Sequence, residues 1–177
     1  MERTRFVFSG SGGQGVITAA IMLAEAAVMY ENLVAVQSQS YGPEARGGST
    51  KSDVIISDSD IYFPKVNHPN ILICLTQEAY NKFYTVVRPG GFIIVDNKLV
   101  KTYKKVDARQ KELPLYQSVI DKIGNPLALN MCTLGAVIGL TKIIKLDSAI
   151  KVINARIPKN YVDMNIKAVN LGYELAE

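Results

Sequence analysis

Two glycine-rich segments of this 177-residue chain have residue types that could bind an anion. The first is Gly10-Ser11-Gly12-Gly13-Gln14-Gly15, which separates a short apolar run from a helical run beginning at Val16. Glycines at such a junction let the backbone turn tightly, and they let phosphate groups approach the N–H groups at the N-terminus of a helix. The pattern therefore predicts either a phosphate-binding loop or a tight strand–helix turn that binds nothing.

The first loop departs from the common nucleotide-binding patterns. A dinucleotide site places an acidic residue about 20 positions further on to bind the ribose, but the strand at that distance ends Val36-Gln37-Ser38-Gln39. The Gly-Lys-Ser/Thr of nucleotide hydrolases is also missing. Gln14 instead offers an amide to a ligand or a partner. An independent nucleotide-binding oxidoreductase stays an alternative, although the missing carboxylate argues against it.

The second segment, Ser40–Ser49, combines an aromatic ring, a carboxylate and a guanidinium with several glycines. Arg46 could bind a phosphate or carboxylate with two parallel hydrogen bonds, and Glu44 could accept a hydrogen bond. The alternative is an ordinary loop with an internal Glu44–Arg46 ion pair. The candidate ligand-contacting residues of this segment are Tyr41, Gly42, Glu44, Arg46, Gly47 and Gly48.

Several kinds of catalytic site are disfavoured by what the sequence lacks. It has no cysteine cluster for an iron–sulfur centre and no Gly-Asp-Gly segment of a thiamine diphosphate site. Cys74 and Cys132 lie in apolar runs, which indicates buried thiols. His68 is the single histidine and lies in a turn-like context, so we expect it at the surface. We therefore assign no catalytic residue and no metal ligand to this chain.

Composition and charge indicate a globular protein. The net charge of +4 comes from dispersed basic residues without an aromatic-rich RNA-binding signature, so we expect no nucleic-acid partner. No stretch reaches the ~20 apolar residues of a membrane span. The N-terminus shows no signal-peptide pattern. We expect a cytoplasmic protein.

The two loops must be positioned by an alternation of strands and helices. The residue patterns predict strands at Arg5–Ser9, Leu33–Gln37, Thr50–Ser57, Asn70–Leu75 and Phe92–Asp96, with a short edge strand within Lys98–Lys111. They predict helices at Val16–Tyr30, Gln77–Arg88, Gln117–Ile123, Leu127–Ile144, from a cap at Asp147 to Ile157, and at Tyr161–Leu175. We expect a single domain over residues 1–177 with a three-layer α/β/α fold and a mixed, mostly parallel sheet.

A series of motifs along nearly the whole chain resembles a known family. They are Gly10–Val16, Tyr41–Gly48, Ser57-Asp58, Arg88–Gly91, Gly124-Asn125 and Asn130–Ala136. In this order and spacing they resemble the gamma subunit of the 2-oxoacid:ferredoxin oxidoreductases. The Tyr-Gly-Pro-Glu-Ala-Arg-Gly-Gly form is most similar to the 2-oxoglutarate members. Branched-chain, pyruvate and indolepyruvate members, or a purely structural assembly subunit, are the alternatives.

The resemblance implies a complex that converts a 2-oxoacid and coenzyme A to acyl-CoA and passes electrons to ferredoxin. It implies that this chain alone binds no cofactor, and that alpha, beta and delta-type subunits carry thiamine diphosphate, Mg and the iron–sulfur clusters. It also implies that the two loops face the partner subunits and the coenzyme A side of the active site. The residues concerned in the first loop are Gly10, Gly12, Gly13, Gln14, Gly15 and Val16.

Overall fold

The computed structural model describes residues 3–40, 49–103 and 105–177. The strands are β1 (Thr4–Gly10), β2 (Val34–Gln39), β3 (Thr50–Ser57), β4 (Ile71–Cys74), β5 (Gly91–Asp96) and β6 (Ala108–Leu113). The helices are α1 (Val16–Tyr30), α2 (Gln77–Phe83), α3 (Leu115–Lys122), α4 (Leu129–Thr141), α5 (Leu146–Arg156) and α6 (Lys159–Ala176). Short 3₁₀ turns follow α2 at Tyr84–Val86 and precede α4 at Pro126–Ala128.

The strands form one sheet in the order β2-β3-β1-β4-β5-β6. β3 runs antiparallel to both of its neighbours, whereas β1, β4, β5 and β6 are parallel to one another. Only ten residues connect β2 to β3, too few for the helical crossover that a parallel pair requires. The predicted mixed, mostly parallel sheet is confirmed, and helices on its two faces complete the three layers.

The two faces of the sheet are covered unequally. On one face, Phe6, Phe8 and Ile73 pack in a large core with residues of α1, α3, α4, α5 and α6. On the other face, Val7 and Leu72 belong to a smaller core that is closed by α2 and by connecting segments. The first face therefore supplies most of the buried apolar area, which is the main stabilising contribution to folding.

Helices α4 and α6 approach each other closely enough that their backbones are in contact. A Cβ added at Gly135 would overlap the carbonyl oxygen of Val169, and one at Gly172 would overlap that of Cys132. A Cβ at Gly139 would lie 2.8 Å from the carbonyl oxygen of Tyr173. Glycine at these positions therefore allows the close packing of α4 on α6.

The predicted cap of α5 at Asp147 is wrong. The helix begins at Leu146, and Asp147 lies in its first turn, where it pairs with Lys151 at 2.9 Å. The start of the helix is bound instead by Glu31, which accepts hydrogen bonds from the Lys145 N–H at 2.8 Å and the Ser148 hydroxyl at 2.6 Å. A capping residue 114 positions away leaves no local sequence signal.

Other boundaries moved by a few residues. α2 ends at Phe83, and the chain continues as a 3₁₀ turn over Tyr84–Val86 before the proline–glycine turn that precedes β5. β2 reaches Gln39, two residues into the predicted loop, and the edge strand β6 extends past Lys111 to Leu113. In the described part of the chain, no helix is both long and apolar enough to span a membrane.

Candidate functional site

The first glycine loop lies where the connections of two neighbouring parallel strands leave the sheet on opposite faces. β1 continues through the loop into α1 on the large-core face, and β4 continues into α2 on the other face. In open α/β sheets, ligands bind in the crevice at the carboxyl ends of two such strands. The end of β1 at Gly10 is therefore the position in the described fold where a ligand site is expected.

The amide of Gln14 holds the loop in place. Its Oε1 accepts a hydrogen bond from the Ser11 N–H at 2.8 Å, and its Nε2 donates to the Leu75 carbonyl at 3.1 Å. A Cβ at Gly10 would collide with the Gln14 Oε1, so glycine is needed for this side chain to fold back. The Oε1 thus closes the loop on itself and the Nε2 ties it to the residue after β4, whereas the sequence suggested that the amide is offered to a ligand or partner.

The loop ends against the first turn of α4. Gly15 has a positive φ of 72°, and a Cβ at this position would lie 2.6 Å from the Asn130 Nδ2. Asn130 is the second residue of α4. It packs against the loop, and its Oδ1 accepts from the Met131 N–H at 2.8 Å. The contact therefore places the N-terminus of α1 beside the first turn of α4.

The N-terminus of α1 has no side-chain cap. Gly15 is the N-cap residue, and no acidic side chain lies in the first turn. The first N–H groups of a helix have no partner within the helix, and together with the helix dipole they attract an anion. This end of α1 therefore has the electrostatic character that a phosphate or carboxylate group would require, which is compatible with the phosphate-binding alternative of the sequence analysis.

A cavity of about 500 Å³ opens beside the loop. Its walls also include residues from the segment after β5, from α3, from the start of α4 and from the α5–α6 junction. Those with apolar or aromatic side chains include Leu99, Tyr116, Leu127, Leu129, Ile157 and Met164. Leu127 and Tyr161 are exposed, with fractions of 69% and 49%. No charged side chain lines the cavity in the described residues, so it suits the uncharged part of a ligand.

The buried carboxylate of Asp96 positions two of these walls. Its Oδ1 accepts from the N–H groups of Lys98 at 2.8 Å and Leu99 at 2.9 Å, and its Oδ2 accepts from the Tyr116 N–H at 2.6 Å. Asp96 is completely buried at the end of β5. One side chain thus joins the segment after β5 to the start of α3. The sequence analysis identified Asp96 only as the end of a strand.

Most of the cavity walls were missed by the sequence analysis. Tyr116, Tyr161 and Asn165 come from helices that are distant in sequence from the glycine loop. The available signal was indirect, because Asn125-Pro126 and Ile157-Pro158 break the helical patterns where the chain passes the loop.

The second predicted loop lies mostly outside the described residues. This applies to Tyr41, Gly42, Glu44, Arg46, Gly47 and Gly48. The residues on either side of it are described. The Ser40 N–H donates to the Lys51 carbonyl at 3.1 Å, and Thr50 pairs with Gly10, the last residue of β1. Both flanks of the segment therefore lie at the same end of the sheet as the first loop.

The two thiols do not contribute a nucleophile. Cys74 and Cys132 are free and buried, as the sequence predicts. Burial raises the pKa of Cys74 far above its ordinary value. Burial, together with the nearby Asp96 carboxylate, raises the pKa of Cys132 to about 12. Both thiols are protonated at neutral pH and therefore unreactive. His68 is exposed, and no cluster of metal-binding side chains occurs among the described residues.

Comparison with known proteins identifies the family. The family model described as pyruvate ferredoxin/flavodoxin oxidoreductase matches residues 5–175. The chain belongs to this family. The resemblance drawn from the motifs is confirmed, and so is the expectation of an oxidoreductase.

This chain matches nearly the full length of some relatives but only part of others. The chain is 44% identical to "2-oxoglutarate synthase subunit KorC" of Methanocaldococcus jannaschii, over 99% of this chain and 95% of that protein. It is 38% identical, with a TM-score of 0.88, to a solved keto/oxoacid ferredoxin oxidoreductase gamma subunit from Geobacter sulfurreducens, over 98% of each chain. It is 32% identical to "Ketoisovalerate oxidoreductase subunit VorA" of Methanothermobacter thermautotrophicus, over 97% of this chain but 36% of that protein.

Proposed function

We propose that the chain is the gamma subunit of a 2-oxoglutarate:ferredoxin oxidoreductase, which converts 2-oxoglutarate and coenzyme A to succinyl-CoA and carbon dioxide and reduces ferredoxin. The near full-length similarity to a relative named 2-oxoglutarate synthase subunit KorC carries this proposal. The weaker similarity to a ketoisovalerate relative makes branched-chain oxoacids the second substrate class, ahead of pyruvate and indolepyruvate.

The role proposed for the chain is to bind coenzyme A. This co-substrate has a phosphate-bearing end and a long, largely uncharged arm. The uncapped N-terminus of α1 offers N–H groups to a phosphate, and the uncharged cavity beside it can accept part of the arm. The positions proposed to contact the ligand are Gly12, Gly13, Gly15 and Val16, while Gly10 and Gln14 shape the loop.

The second loop completes the proposed site. Its flanking residues lie beside the end of β1, so Arg46 is proposed to bind an anionic group of the ligand or a carboxylate of a partner subunit. Tyr41, Gly42, Glu44, Gly47 and Gly48 are proposed to allow and orient this contact. Arg46→Ala should lower the activity of the assembled complex more than tenfold, since the loss of a charge-assisted contact costs roughly 1.5–3 kcal/mol.

The remaining components of the reaction are assigned to other subunits. Thiamine diphosphate supplies the decarboxylation chemistry, and iron–sulfur clusters carry the electrons. We propose alpha, beta and delta-type partners for these groups, ferredoxin as the acceptor, a cytoplasmic location and a single domain spanning residues 1–177. The free thiols of the chain are consistent with a reducing compartment.

One observation favours a structural role as the second candidate. The loop is closed by its own glutamine, whose Oε1 and Nε2 each make a hydrogen bond within the chain. These two hydrogen bonds are sufficient for a tight turn that packs against a partner subunit and makes no contact with coenzyme A. In that case the affinity of the complex for coenzyme A would not depend on the side chains of this subunit.

The proposed function is tested by isolating the chain with its partners from native cells through an affinity tag. The complex should reduce ferredoxin in the presence of 2-oxoglutarate and coenzyme A, with a kcat/KM at least about tenfold above those for pyruvate, 2-oxoisovalerate and indolepyruvate. The chain alone should be colourless and inactive. Preference for another oxoacid would replace the substrate assignment, and stoichiometric iron in the pure chain would contradict the subunit assignment.

A further inference from the structure

The two edges of the sheet differ in charge. The edge strand β6 carries Arg109, Lys111 and Glu112, all exposed. The edge strand β2 has the sequence Val-Ala-Val-Gln-Ser-Gln over residues 34–39, without a charge, proline or glycine. Soluble proteins protect open edges with charged residues, proline or bulges, because an unprotected edge pairs with other chains. β6 has this protection, and β2 does not.

Within the described residues, the outer edge of β2 carries backbone groups without a backbone partner. In the β2–β3 register, Ser40 donates to Lys51, so every second residue from Ser40 back to Val34 bonds to β3. The N–H and C=O groups of Ala35 and Gln37 consequently point away from β3. Neither residue has another backbone partner among the described residues. These groups form the start of a ladder to which a further strand could pair.

An exposed aromatic pair lies next to this edge. Tyr62 and Phe63 have exposed fractions of 86% and 62%, the former being the highest among the exposed large apolar and aromatic side chains in the described residues. The following residue, Pro64, is tied to β2 because its carbonyl accepts a hydrogen bond from the Ser38 hydroxyl at 3.0 Å.

Two further hydrogen bonds anchor the flanks of the aromatic segment. The Asp60 carbonyl accepts from the Arg3 guanidinium at 2.6 Å, and the buried Val66 donates its N–H to the Asp53 carboxylate at 2.9 Å. The backbone on both sides of the two aromatic residues is thus hydrogen-bonded to other parts of the chain. Exposed aromatic side chains that are fixed before binding are typical of the residues that contribute most to protein–protein affinity.

We infer that β2 and the Tyr62–Phe63 pair form a binding surface for an extended strand of another subunit of the same oxidoreductase complex. The partner strand would pair with Ala35 and Gln37 and would be flanked by an apolar pocket for the aromatic rings. This inference rests on the proposed function. Another subunit is favoured over a second copy because the VorA relative carries this unit as 36% of a longer chain, so in that protein the unit adjoins a much larger polypeptide.

Hydrogen exchange of the wild-type chain tests the pairing directly. The amides of Ala35 and Gln37 should exchange rapidly in the isolated chain and at least about 100-fold more slowly in the purified complex. The exposed amides of β6 serve as the internal control and should not change. Equally fast exchange at Ala35 and Gln37 in both samples would overturn the inference.

A pair of substitutions at one position tests the consequence for assembly. Gln37→Pro removes an N–H that β3 does not use, whereas Gln37→Thr loses the same side chain but keeps the N–H. Gln37→Pro should weaken assembly with the partner subunits at least tenfold, and Gln37→Thr should assemble normally. Normal assembly of a folded Gln37→Pro chain would contradict the inference.

The oligomeric state of the isolated chain separates the possible occupants of the edge. A monomer is expected by sedimentation analysis. A dimer that Gln37→Pro abolishes would assign the edge to a second copy and would overturn the choice of a partner subunit. A different result would contradict the proposed function. If the wild-type chain is isolated from cells without thiamine- and iron-containing subunits, the proposed function is wrong, whatever the β2 edge binds.

Discussion

Glycines have different roles in the α4–α6 contact and in the loop after β1. At Gly135 and Gly172, a Cβ would overlap the backbone of the facing helix, so glycine is required by internal packing alone. At Gly12, a Cβ would have no neighbour within 4 Å, and the residue is exposed. Within the described residues, no packing or backbone requirement explains this glycine. The comparison indicates which glycines maintain the fold and which leave room for something outside the chain.

The largest effect is expected at the helix contact. In Gly172→Ala the added Cβ meets the Cys132 carbonyl and would lie 2.9 Å from the Ala136 nitrogen, so the two helices must separate. The free energy of unfolding should fall by more than about 3 kcal/mol, the upper part of the range for overpacked cores. Thermal unfolding of the purified chain measures this change. If Gly172→Ala is as stable as wild type, glycine is not required for the α4–α6 contact, and the two classes of glycine do not differ in this respect.

The second largest effect is expected at Asp96, which supports the walls of the cavity. Asp96→Ala removes the acceptor for three backbone N–H groups that hold Leu99 and Tyr116 in the cavity wall. The chain should lose about 3 kcal/mol of stability, which lowers the Tm by about 6–12 °C. Asp96→Asn keeps the volume of the side chain and should lose less. Equal Tm values for all three chains would show that the carboxylate does not support these walls.

A smaller effect is expected at Gly15, where the loop meets α4. Gly15→Ala combines the cost of a positive φ, roughly 1–2 kcal/mol, with a collision against Asn130. Gly90→Ala is the matched control, because Gly90 has a φ of 74° and open space around it. Gly15→Ala should be the more destabilised variant, and adding Asn130→Ala should recover the difference. If both single variants lose equal stability, the contact with Asn130 is not restrictive.

The sequence predicted the elements of the fold better than the walls of the site. Apolar runs and the glycine pattern located β1, the loop and α1, because these signals are local. The cavity depends on Tyr116, Tyr161 and Asn165, which meet the loop only after α3–α6 have packed on the sheet. The roles of Asp96 and Glu31 also depend on partners that are distant in sequence. Gln14 was noticed as unusual, but the direction of its amide depends on the position of Leu75.

The most direct measurement of the central claim, that the glycine loop faces coenzyme A, uses Gly12. Gly12→Ala and Gly12→Val add increasing bulk where the chain itself leaves space, so the Tm should stay within about 2 °C and the complex should assemble. The KM for coenzyme A should rise in the order of side-chain size, reaching at least tenfold for Gly12→Val, while the KM for 2-oxoglutarate stays constant. An unchanged KM for coenzyme A in an assembled Gly12→Val complex, or failure of that complex to assemble, would contradict the claim.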